Sequence, residues 1–423
     1  MYKKTDLNNG LTLVTNHMPG MESLAVGIWI RAGSRNENEK ISGISHFLEH
    51  MLFKGTPSRD CRKLKEEIEG RGGSLNGFTS EEVSCFLAKV SYKHMGVALE
   101  VLSDMVLNAS IKQDELDRER GVIIEEIKMY QDLPNHHVHD MLAEIMWPGN
   151  PLGFSIAGSV GSVSPISRKE IVGYRDENYT SENMVIVLCG NVDHGKIETN
   201  VQKIFSKATR GETGQVELFR NDQSKPRMKV INKDTKQSHI SMGLHSFGKF
   251  HKDRYILTLL HIILGANMSS RLFENIREKK GLAYEIGADV KRYKETGAFV
   301  VHAGTEHKKA KETIRCVLKE LKEIKEKQVS AGELKRAKEF FRVQLLMALE
   351  DTIEHMLWLG EYATSLNKLP DRKEIIKKVE AVTADDIKRV ARDIFKSSGL
   401  NVAIIGELKD KERREIEKDL VLL

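Results

Sequence analysis

Two histidines and a glutamate stand within one short stretch, 43-GISHFLEHMLFKGT-56. If this stretch is helical, His46 and His50 are four residues apart and lie on one face, which Glu49 borders. Two neutral imidazoles in this arrangement can bind one small cation, and zinc accepts imidazole and carboxylate ligands. The spacing therefore predicts part of a zinc site. A helix whose histidines fall four residues apart without a metal fits the same residues, so a third ligand must decide between these interpretations.

A second helical pattern, 113-QDELDRERGVIIEEIKMYQ-131, supplies carboxylates. Glu119 and Glu126 are seven residues apart, which is two turns along one helix face. One carboxylate can bind a metal while the other accepts a hydrogen bond from a ligand histidine and so fixes the orientation of its ring. A solvated acidic face is the alternative interpretation of this helix.

The sequence around both motifs resembles the pitrilysin/insulinase family of zinc metallopeptidases, whose inverzincin motif is H-x-x-E-H. The resemblance extends over 31-RAGSRNENEKISGISHFLEHMLFKGT-56. The third ligand of the family is a glutamate in a helix reading E-R-x-V-I-x-x-E, and 119-ERGVIIEE-126 fits it at the family's spacing, 126−50 = 76. The resemblance implies that His46, His50 and Glu126 bind one Zn²⁺ per chain. It also implies that Glu119 supports a ligand histidine and that Glu49 is the general base of peptide hydrolysis.

The segment 72-GGSLNGFTSEEVSCFLAKV-90 predicts a glycine-rich turn followed by a strand. It is similar to a G-G-x-x-N-A-x-T segment of the family, whose members bind substrate as an added strand on this edge. The resemblance implies that Asn76 contacts the substrate backbone, with Gly77 and Phe78 beside it. The family usually has alanine at position 77. For Asn76, the residues alone favour an ordinary turn.

In the second half, 270-SRLFENIREKKGLAYEIGADV-290 is similar to the family segment R-L-F-x-x-x-R-E-x-x-G-L-A-Y. The resemblance implies that Arg277 and Tyr284 bind substrate and stabilise the developing oxyanion. A helix that ends at Gly281, with its charges in solvent, fits the same pattern.

Two segments recur at a constant spacing along the chain. Glu115 and its neighbours match Glu333 and its neighbours, and Asn183 matches Asn401; the spacings are 333−115 = 218 and 401−183 = 218. This repetition predicts the duplication of one unit of domain size. The second copy has no H-x-x-E-H motif, and the position that matches the third predicted ligand is Gln344, a poor metal ligand.

Strand patterns and helix patterns are mixed in each half without strict alternation, which is typical of an α+β fold. We therefore predict two homologous domains, each a mainly antiparallel sheet with helices packed on one face. The predicted catalytic domain covers residues 1–210, the second domain covers 225–423, and a polar linker covers 211–224.

The composition excludes several classes of protein. The net charge is only +5, from 66 basic and 61 acidic residues, which argues against nucleic-acid binding. The longest apolar runs, such as 184-MVIVLCG-190, are too short to span a bilayer, and the opening MYKKTDLNNGLTLV is not a signal peptide. We expect a cytoplasmic protein with no membrane partner. The cysteines form no C-x-x-C pair and are expected to be free thiols: Cys61, Cys85, Cys189 and Cys316.

The resemblance also bears on assembly and substrate. Short members of the family have two domains and pair with a second chain. Because both halves carry implied site residues, we expect a homodimer in which Arg277 and Tyr284 reach the zinc of the partner; a heterodimer is the alternative. The closed chamber of the family implies peptides or unfolded polypeptide segments as substrates. A non-catalytic subunit, or a subunit of a processing complex, is the competing hypothesis, although the zinc ligands and Glu49 are all present.

Two other features are assigned no site. The cluster 136-HHVHD-140 predicts a loop that leads into a helix over 138–147 rather than a second metal site. The stretch 152-LGFSIAGSVGSV-163 lacks the arginine of the family pattern L-G-R-P-I-x-G-T-x-E.

Overall fold

The computed structural model describes residues 2–211, 214, 216–366 and 368–423 of the 423-residue chain, with the side chain of Leu422 outside the description. Its strands form two sheets. In chain order they are β1 (Tyr2–Asp6), β2 (Thr12–His17), β3 (Ser23–Ile30), β4 (Ser74–Thr79), β5 (Ser84–Ser91), β6 (Met184–Gly190), β7 (Arg227–Ile231), β8 (Ser238–Phe247), β9 (Ala283–Arg292), β10 (Thr296–Thr305) and β11 (Leu400–Ile405).

The α-helices lie between these strands and after the last of them. In chain order they are α1 (Ile44–Leu52), α2 (Cys61–Glu69), α3 (Met95–Asn108), α4 (Gln113–Asp132), α5 (Pro134–Met146), α6 (Val160–Val163), α7 (Arg168–Asn178), α8 (His194–Ile204), α9 (Arg254–Leu264), α10 (Ala310–Glu326), α11 (Ala331–Ala348), α12 (Thr352–Leu366), α13 (Arg372–Glu380), α14 (Ala384–Ile394) and α15 (Asp410–Asp419). A π-helical segment covers Phe273–Glu278. Among the described helices, none combines the length and the apolar character that crossing a bilayer requires.

The two sheets repeat one topology. The first has the strand order β1-β2-β6-β3-β5-β4, and the second has β7-β11-β8-β10-β9. Without β1, each strand of the first sheet has a counterpart in the second. The single parallel pair of each sheet, β2 with β6 and β7 with β11, also corresponds, and the other pairs are antiparallel. The predicted α+β fold with two homologous, mainly antiparallel sheets is confirmed.

The central strands of the first sheet are buried on both faces, which explains their nearly continuous apolar sequence. One face packs on α1, α3 and other helices of the first half through side chains such as Phe47 and Leu102. The other face packs Trp29 against Met356 and Leu359 of α12. A Cβ atom at Gly360 would lie 2.1 Å from the Trp29 ring, so only glycine permits this close approach of helix and sheet. Each large apolar side chain buried in this way stabilises the fold by about 1.5–3 kcal/mol.

The chain divides into two compact units, and each unit contains one helix from the other half of the sequence. We call these two helices, α5 and α12, the exchanged helices. Unit 1 consists of residues 1–128, 154–217 and 346–370, and unit 2 consists of the remaining residues. The predicted domains differ from these units because α5 packs on β8 and β11 of the second sheet, whereas α12 packs on β3 and β6 of the first. Residues 212, 213 and 215 of the predicted linker lie outside the described residues.

An arginine in or directly after a strand of each sheet binds the C-terminal end of the exchanged helix that covers that sheet. In unit 1, Arg31 donates to the carbonyl groups of Ala363 and Thr364 in the last turn of α12. In unit 2, Arg227 donates to the carbonyl of Ile145 in the last turn of α5. Positive charge at a helix C-terminus is favourable because the unpaired carbonyl groups there carry partial negative charge.

The histidine cluster at 136–140 lies inside α5, which begins at Pro134. The helix predicted from residue 138 is present, but the loop predicted before it, at 136 and 137, is wrong. Proline fits the first turn of a helix because the N–H group that it lacks would have no intrahelical partner there, so the helix starts four residues earlier than expected, at 134 instead of 138.

Candidate metal centre and substrate-binding elements

A buried carboxyl group fixes the start of α1. Glu37 accepts hydrogen bonds from the backbone N–H groups of Gly43, at 2.8 Å, and Ser45, at 2.9 Å. Gly43 has φ 95°, in the left-handed region that favours glycine, and its Cβ atom would lie 2.6 Å from the carbonyl oxygen of Ala157. Burial raises the pKa of Glu37 to about 7, although both backbone hydrogen bonds oppose the rise. The first turn of the helix is thus held by a group that titrates near neutrality.

The two histidines of α1 lie side by side on its partly exposed face. Their ring centroids are 4.6 Å apart, while Phe47, Leu48 and Met51 on the opposite face are fully buried. Burial, with a contribution from His50, lowers the pKa of His46 to about 4. His46 is therefore neutral at pH 7, as a metal ligand must be.

The helix α4 brings a carboxylate to the same place. Oε2 of Glu126 lies 3.8 Å from Nε2 of His46 and 3.7 Å from Nε2 of His50. Two atoms bound to one zinc ion by bonds of about 2.0–2.2 Å cannot be much more than about 4.2 Å apart, so each of these pairs fits a shared ion. One ligand atom from each residue lies within 4.8 Å of the others, and no second group of this kind exists among the residues that the structure describes. The donor set therefore fits zinc.

A second carboxylate on α4 stands behind His50. Oε2 of Glu119 lies 3.1 Å from Nδ1 of His50, and Oε1 of Glu119 accepts from Nζ of Lys54 at 2.5 Å. Burial alone would raise the pKa of Glu119, but the hydrogen bonds of Lys54 and His50 lower it. Glu119 is thus an ionised acceptor for the ring of His50. Lys54 was not among the predicted site residues, because it is remote from Glu119 in the chain and no helix periodicity connects them.

Glu49 is held by the neighbouring sheet. Its Oε2 accepts from Oγ1 of Thr79, on β4, at 2.6 Å. Burial raises the pKa of Glu49, and the hydrogen bond from Thr79 opposes this. Thr79 was not among the predicted site residues, although alternation along the strand gives a signal: Gly77 and Thr79 share one face of β4. A Cβ atom at Gly77 would lie 3.2 Å from the ring of Phe53, which follows α1, so this face is turned towards the metal-binding helix.

The other predicted substrate-binding residues lie on the opposite face of β4. The ring of Phe78 packs edge-on against Trp29, with centroids 5.6 Å apart, and Asn76 is exposed, with its Oδ1 accepting from the N–H of Gly77 at 2.8 Å. The strand β4 ends the sheet order, and its outer edge has no strand partner among the described residues. This edge is therefore open to an added strand, although the N–H of Gly77 is already paired with the Asn76 side chain.

Arg277 and Tyr284 lie together in unit 2, whereas the metal ligands are in unit 1. The Arg277 guanidinium lies 5.2 Å from the centroid of the Tyr284 ring and 4.6 Å from that of Phe273. Tyr284 is 76% exposed, which is unusual for a large aromatic residue. The guanidinium and the exposed phenol therefore lie together at the surface of unit 2.

Comparison with known families agrees with this donor set. Residues 12–160 match the family model described as Insulinase (Peptidase family M16), and residues 165–341 match the one described as Peptidase M16 inactive domain. The chain belongs to peptidase family M16. The first match contains His46, His50 and Glu126, and the second contains Arg277 and Tyr284. Among the residues that the structure describes, the group of metal ligands lies in the first match and no such group lies in the second.

Relatives cover nearly the whole chain. It is 34% identical to the uncharacterized zinc protease YmxG of Bacillus subtilis over 93% of this chain and 96% of that protein. It is 35% identical to an uncharacterized zinc protease of Rickettsia felis over 95% of this chain and 96% of that protein. A solved protease structure from Helicobacter pylori has a TM-score of 0.92 at 22% identity, covering 96% of this chain and all of that one, and shows the same fold.

Proposed function

We propose that this protein is a zinc-dependent endopeptidase that hydrolyses peptides or unfolded polypeptide segments. The observation that carries the proposal is the convergence of three ligand atoms, from His46, His50 and Glu126, within 4.8 Å of one another, beside the partly buried carboxyl group of Glu49. The zinc-protease names of the relatives support the same assignment.

In this mechanism His46, His50 and Glu126 would hold the ion. Zinc, when bound, supplies Lewis-acid chemistry, since it polarises a peptide carbonyl and makes water acidic enough to attack at neutral pH. Glu49 takes the proton of the attacking water and passes it to the leaving amine. Thr79 donates to Oε2 of Glu49 and so leaves Oε1 to carry that proton. Because burial raises the pKa of Glu49, this carboxylate is a stronger base than an exposed glutamate.

We propose that the substrate is held as an extra strand on the edge of β4. Main-chain hydrogen bonds would align the peptide, a mode that accepts many side-chain sequences. Asn76, Gly77 and Phe78 lie on this edge strand. Only Gly77 faces the side of α1, so we expect Asn76 and Phe78 to act through their backbone groups.

The test of the proposed function is Glu49→Gln, with exposed Glu125→Gln as the control. Glu49→Gln should retain zinc, since the variant keeps all three ligands, but lose peptide cleavage by roughly 10²–10⁴-fold because the proton acceptor is gone. Zinc content and cleavage of a fluorogenic peptide library, with and without chelator, are the measurements. Normal cleavage by Glu49→Gln would exclude the assigned mechanism. A zinc-loaded wild type that cleaves no peptide would favour the alternative, a non-catalytic or processing-complex subunit.

We further propose that the active form is a homodimer, in which Arg277 and Tyr284 act on a peptide bound at the zinc of the partner; a heterodimer is the alternative. The exposed Tyr284 phenol and the stacked Arg277 guanidinium suit stabilisation of a developing oxyanion. Mixing inactive Glu49→Gln chains with inactive Tyr284→Phe chains should then restore part of the activity. The absence of any restoration in mixed dimers would contradict a shared site.

A further inference from the structure

Lys54 follows α1 and turns back towards the metal centre. Its backbone N–H donates to the carbonyl of Met51 at 3.1 Å, which fixes the chain just after the helix. Its ammonium group reaches Oε1 of Glu119 on α4 at 2.5 Å. The Lys54 side chain is 25% exposed, so much of its stem is withdrawn from water. Lys54 therefore links the end of the helix that carries both histidines to the helix that carries Glu126.

Each oxygen of the Glu119 carboxylate has a defined partner. Oε1 faces Lys54, and Oε2 lies 3.1 Å from Nδ1 of His50. The Glu119 side chain is only 8% exposed, so little water is available to replace either partner. A carboxylate that loses one of two partners is free to rotate, because the remaining hydrogen bond can be made by either oxygen.

The two ligand histidines are supported differently. Nδ1 of His50 meets Glu119, whereas Nδ1 of His46 is buried and has no hydrogen-bond partner among the described residues. Packing alone holds the His46 ring. The hydrogen bonds that orient a ligand of the metal centre are therefore those of His50 with Glu119 and of Glu119 with Lys54.

We propose that Lys54 is a positioning residue that sets the affinity of the centre for zinc. It holds Glu119 in the orientation in which Oε2 accepts from Nδ1 of His50, and this fixes the ring with Nε2 towards Glu126. The inference rests on the zinc site of the proposed function and extends it to a residue that touches neither metal ligand nor substrate.

The charge of the Lys54 ammonium group acts on zinc affinity in the opposite direction to its positioning of Glu119. Its positive charge repels a divalent cation, so removing it would strengthen zinc binding if charge were its only contribution. The geometry favours the positioning effect, because the negative carboxylate of Glu119 lies between Lys54 and His50 and offsets the repulsion. The two contributions predict opposite changes in affinity, which makes them separable by experiment.

Three substitutions distinguish these contributions. Lys54→Arg keeps both donor and charge, Lys54→Gln keeps a donor without charge, and Lys54→Met keeps only the apolar stem. The dissociation constant for zinc, measured by competition with a chromophoric chelator at pH 7.5, should rise about tenfold for Lys54→Met and less than about threefold for the other two. Lys65→Met, at an exposed position on α2, is the matched control and should leave the constant unchanged. Should Lys54→Met not fold, Lys54→Leu, which also lacks a donor and a charge, replaces it with the same expected rise.

A double-mutant cycle tests the route of the effect. In a Glu119→Ala background, Lys54→Met should cause no further loss of zinc affinity, because the group that Lys54 positions is gone. An equal loss in both backgrounds would overturn the inference. So would tighter zinc binding by both Lys54→Met and Lys54→Gln, or zinc affinity in Lys54→Met within twofold of wild type.

These outcomes are distinct from failure of the proposed function. If wild type cleaves peptides but Lys54→Met binds zinc equally well, the inference alone fails. If zinc affinity depends on Lys54 as expected but wild type cleaves no peptide, the proposed function alone fails.

Discussion

The gap between α1 and α4 has a counterpart between α9 and α11. The helix α9 follows β8 as α1 follows β3, and α11 repeats α4 at a spacing of 218 residues. In the first gap, Glu119 and Glu126 face two histidines. At the matching positions of α11 stand Ala337 and Gln344, since 119 + 218 = 337 and 126 + 218 = 344.

The second gap is a cavity of about 280 Å³ with a mixed lining that includes Ile262, Ile263, Ala337 and Phe340. Of the two carboxylates in its lining, Glu333 forms a two-point ion pair with Arg271, with distances of 2.7 and 3.0 Å. Burial raises the pKa of Glu333, but the hydrogen bonds from Arg271 and Ser330 lower it to about 2. The same arrangement of helices and strands thus occurs in both halves. The capacity to bind a metal depends on a few side chains rather than on the backbone.

The largest expected difference between the two gaps is in metal affinity. Glu126→Gln removes the only carboxylate among the three predicted ligands and should weaken zinc binding by at least about 10³-fold, because a neutral amide neither carries charge nor favours zinc. The reciprocal change, Gln344→Glu, should create no zinc binding, since α9 offers no pair of histidines at the spacing found in α1. Equilibrium dialysis followed by metal analysis measures both variants. A second equivalent of zinc in Gln344→Glu would contradict the claim that the second gap needs a histidine pair to bind a metal.

The second expected difference concerns the ends of the exchanged helices. Arg31 is partly buried and donates to three carbonyl groups, those of Glu182, Ala363 and Thr364. Arg31→Met should lower the free energy of unfolding by about 3–4 kcal/mol, because it leaves these acceptors unpaired. Arg227→Met in the other unit removes one carbonyl bond at 2.8 Å from a side chain that is 29% exposed, and should cost about 1 kcal/mol.

Urea denaturation of the chelator-treated variants measures both costs, provided that the slope of the transition is unchanged. Equal losses for the two variants would mean that burial of the arginine does not matter and that the two helix ends are held equivalently.

The smallest difference is a pH dependence at the starts of α1 and α9. Burial raises the pKa of Glu37 to about 7, above its ordinary value of 4.5. The stability from this group is therefore complete below pH 4.5 and is lost as the pH rises through 7. Wild type should lose about 2–3 kcal/mol relative to Glu37→Gln between pH 5 and pH 8, because the amide does not titrate.

Asp253, which precedes α9, provides the matched control. Its hydrogen bond with Arg389 lowers the pKa of the Asp253 carboxyl group, so its contribution to stability is lost only as the pH falls below the ordinary range of aspartate. Asp253→Asn should shift the urea midpoint by the same amount at pH 5 and pH 8. A Glu37→Gln variant that keeps the pH slope of wild type would contradict the assignment of that slope to Glu37.

Much of the metal centre was predictable because its signals are periodic. The spacing of His46 and His50 along one helix face, and that of Glu119 and Glu126 along another, can be derived from helix geometry alone. Thr79 and Lys54 could not be identified in this way. Each meets its partner across a tertiary contact, Thr79 from a strand and Lys54 from the turn after α1. A threonine in a strand and a lysine after a helix are too common to stand out in a sequence.

The fold was likewise predictable in part: the repeated sheet could be predicted, but the positions of two helices could not. The repeat at 218 residues predicted two copies of one sheet, which the strand orders confirm. The exchange of α5 and α12 was not predictable, because an amphipathic pattern shows that a helix has an apolar face but not which sheet that face covers. For the same reason the predicted domains follow the chain order, whereas the compact units do not.

The exchanged helix α12 has a consequence for synthesis of the protein. Trp29 and its apolar neighbours on the first sheet are made early, but the helix that covers them ends at Leu366 of 423 residues. During translation, this face of the sheet therefore has no permanent cover until most of the polypeptide has left the ribosome. The packing of the first sheet on this face is therefore completed only after α12 has been made.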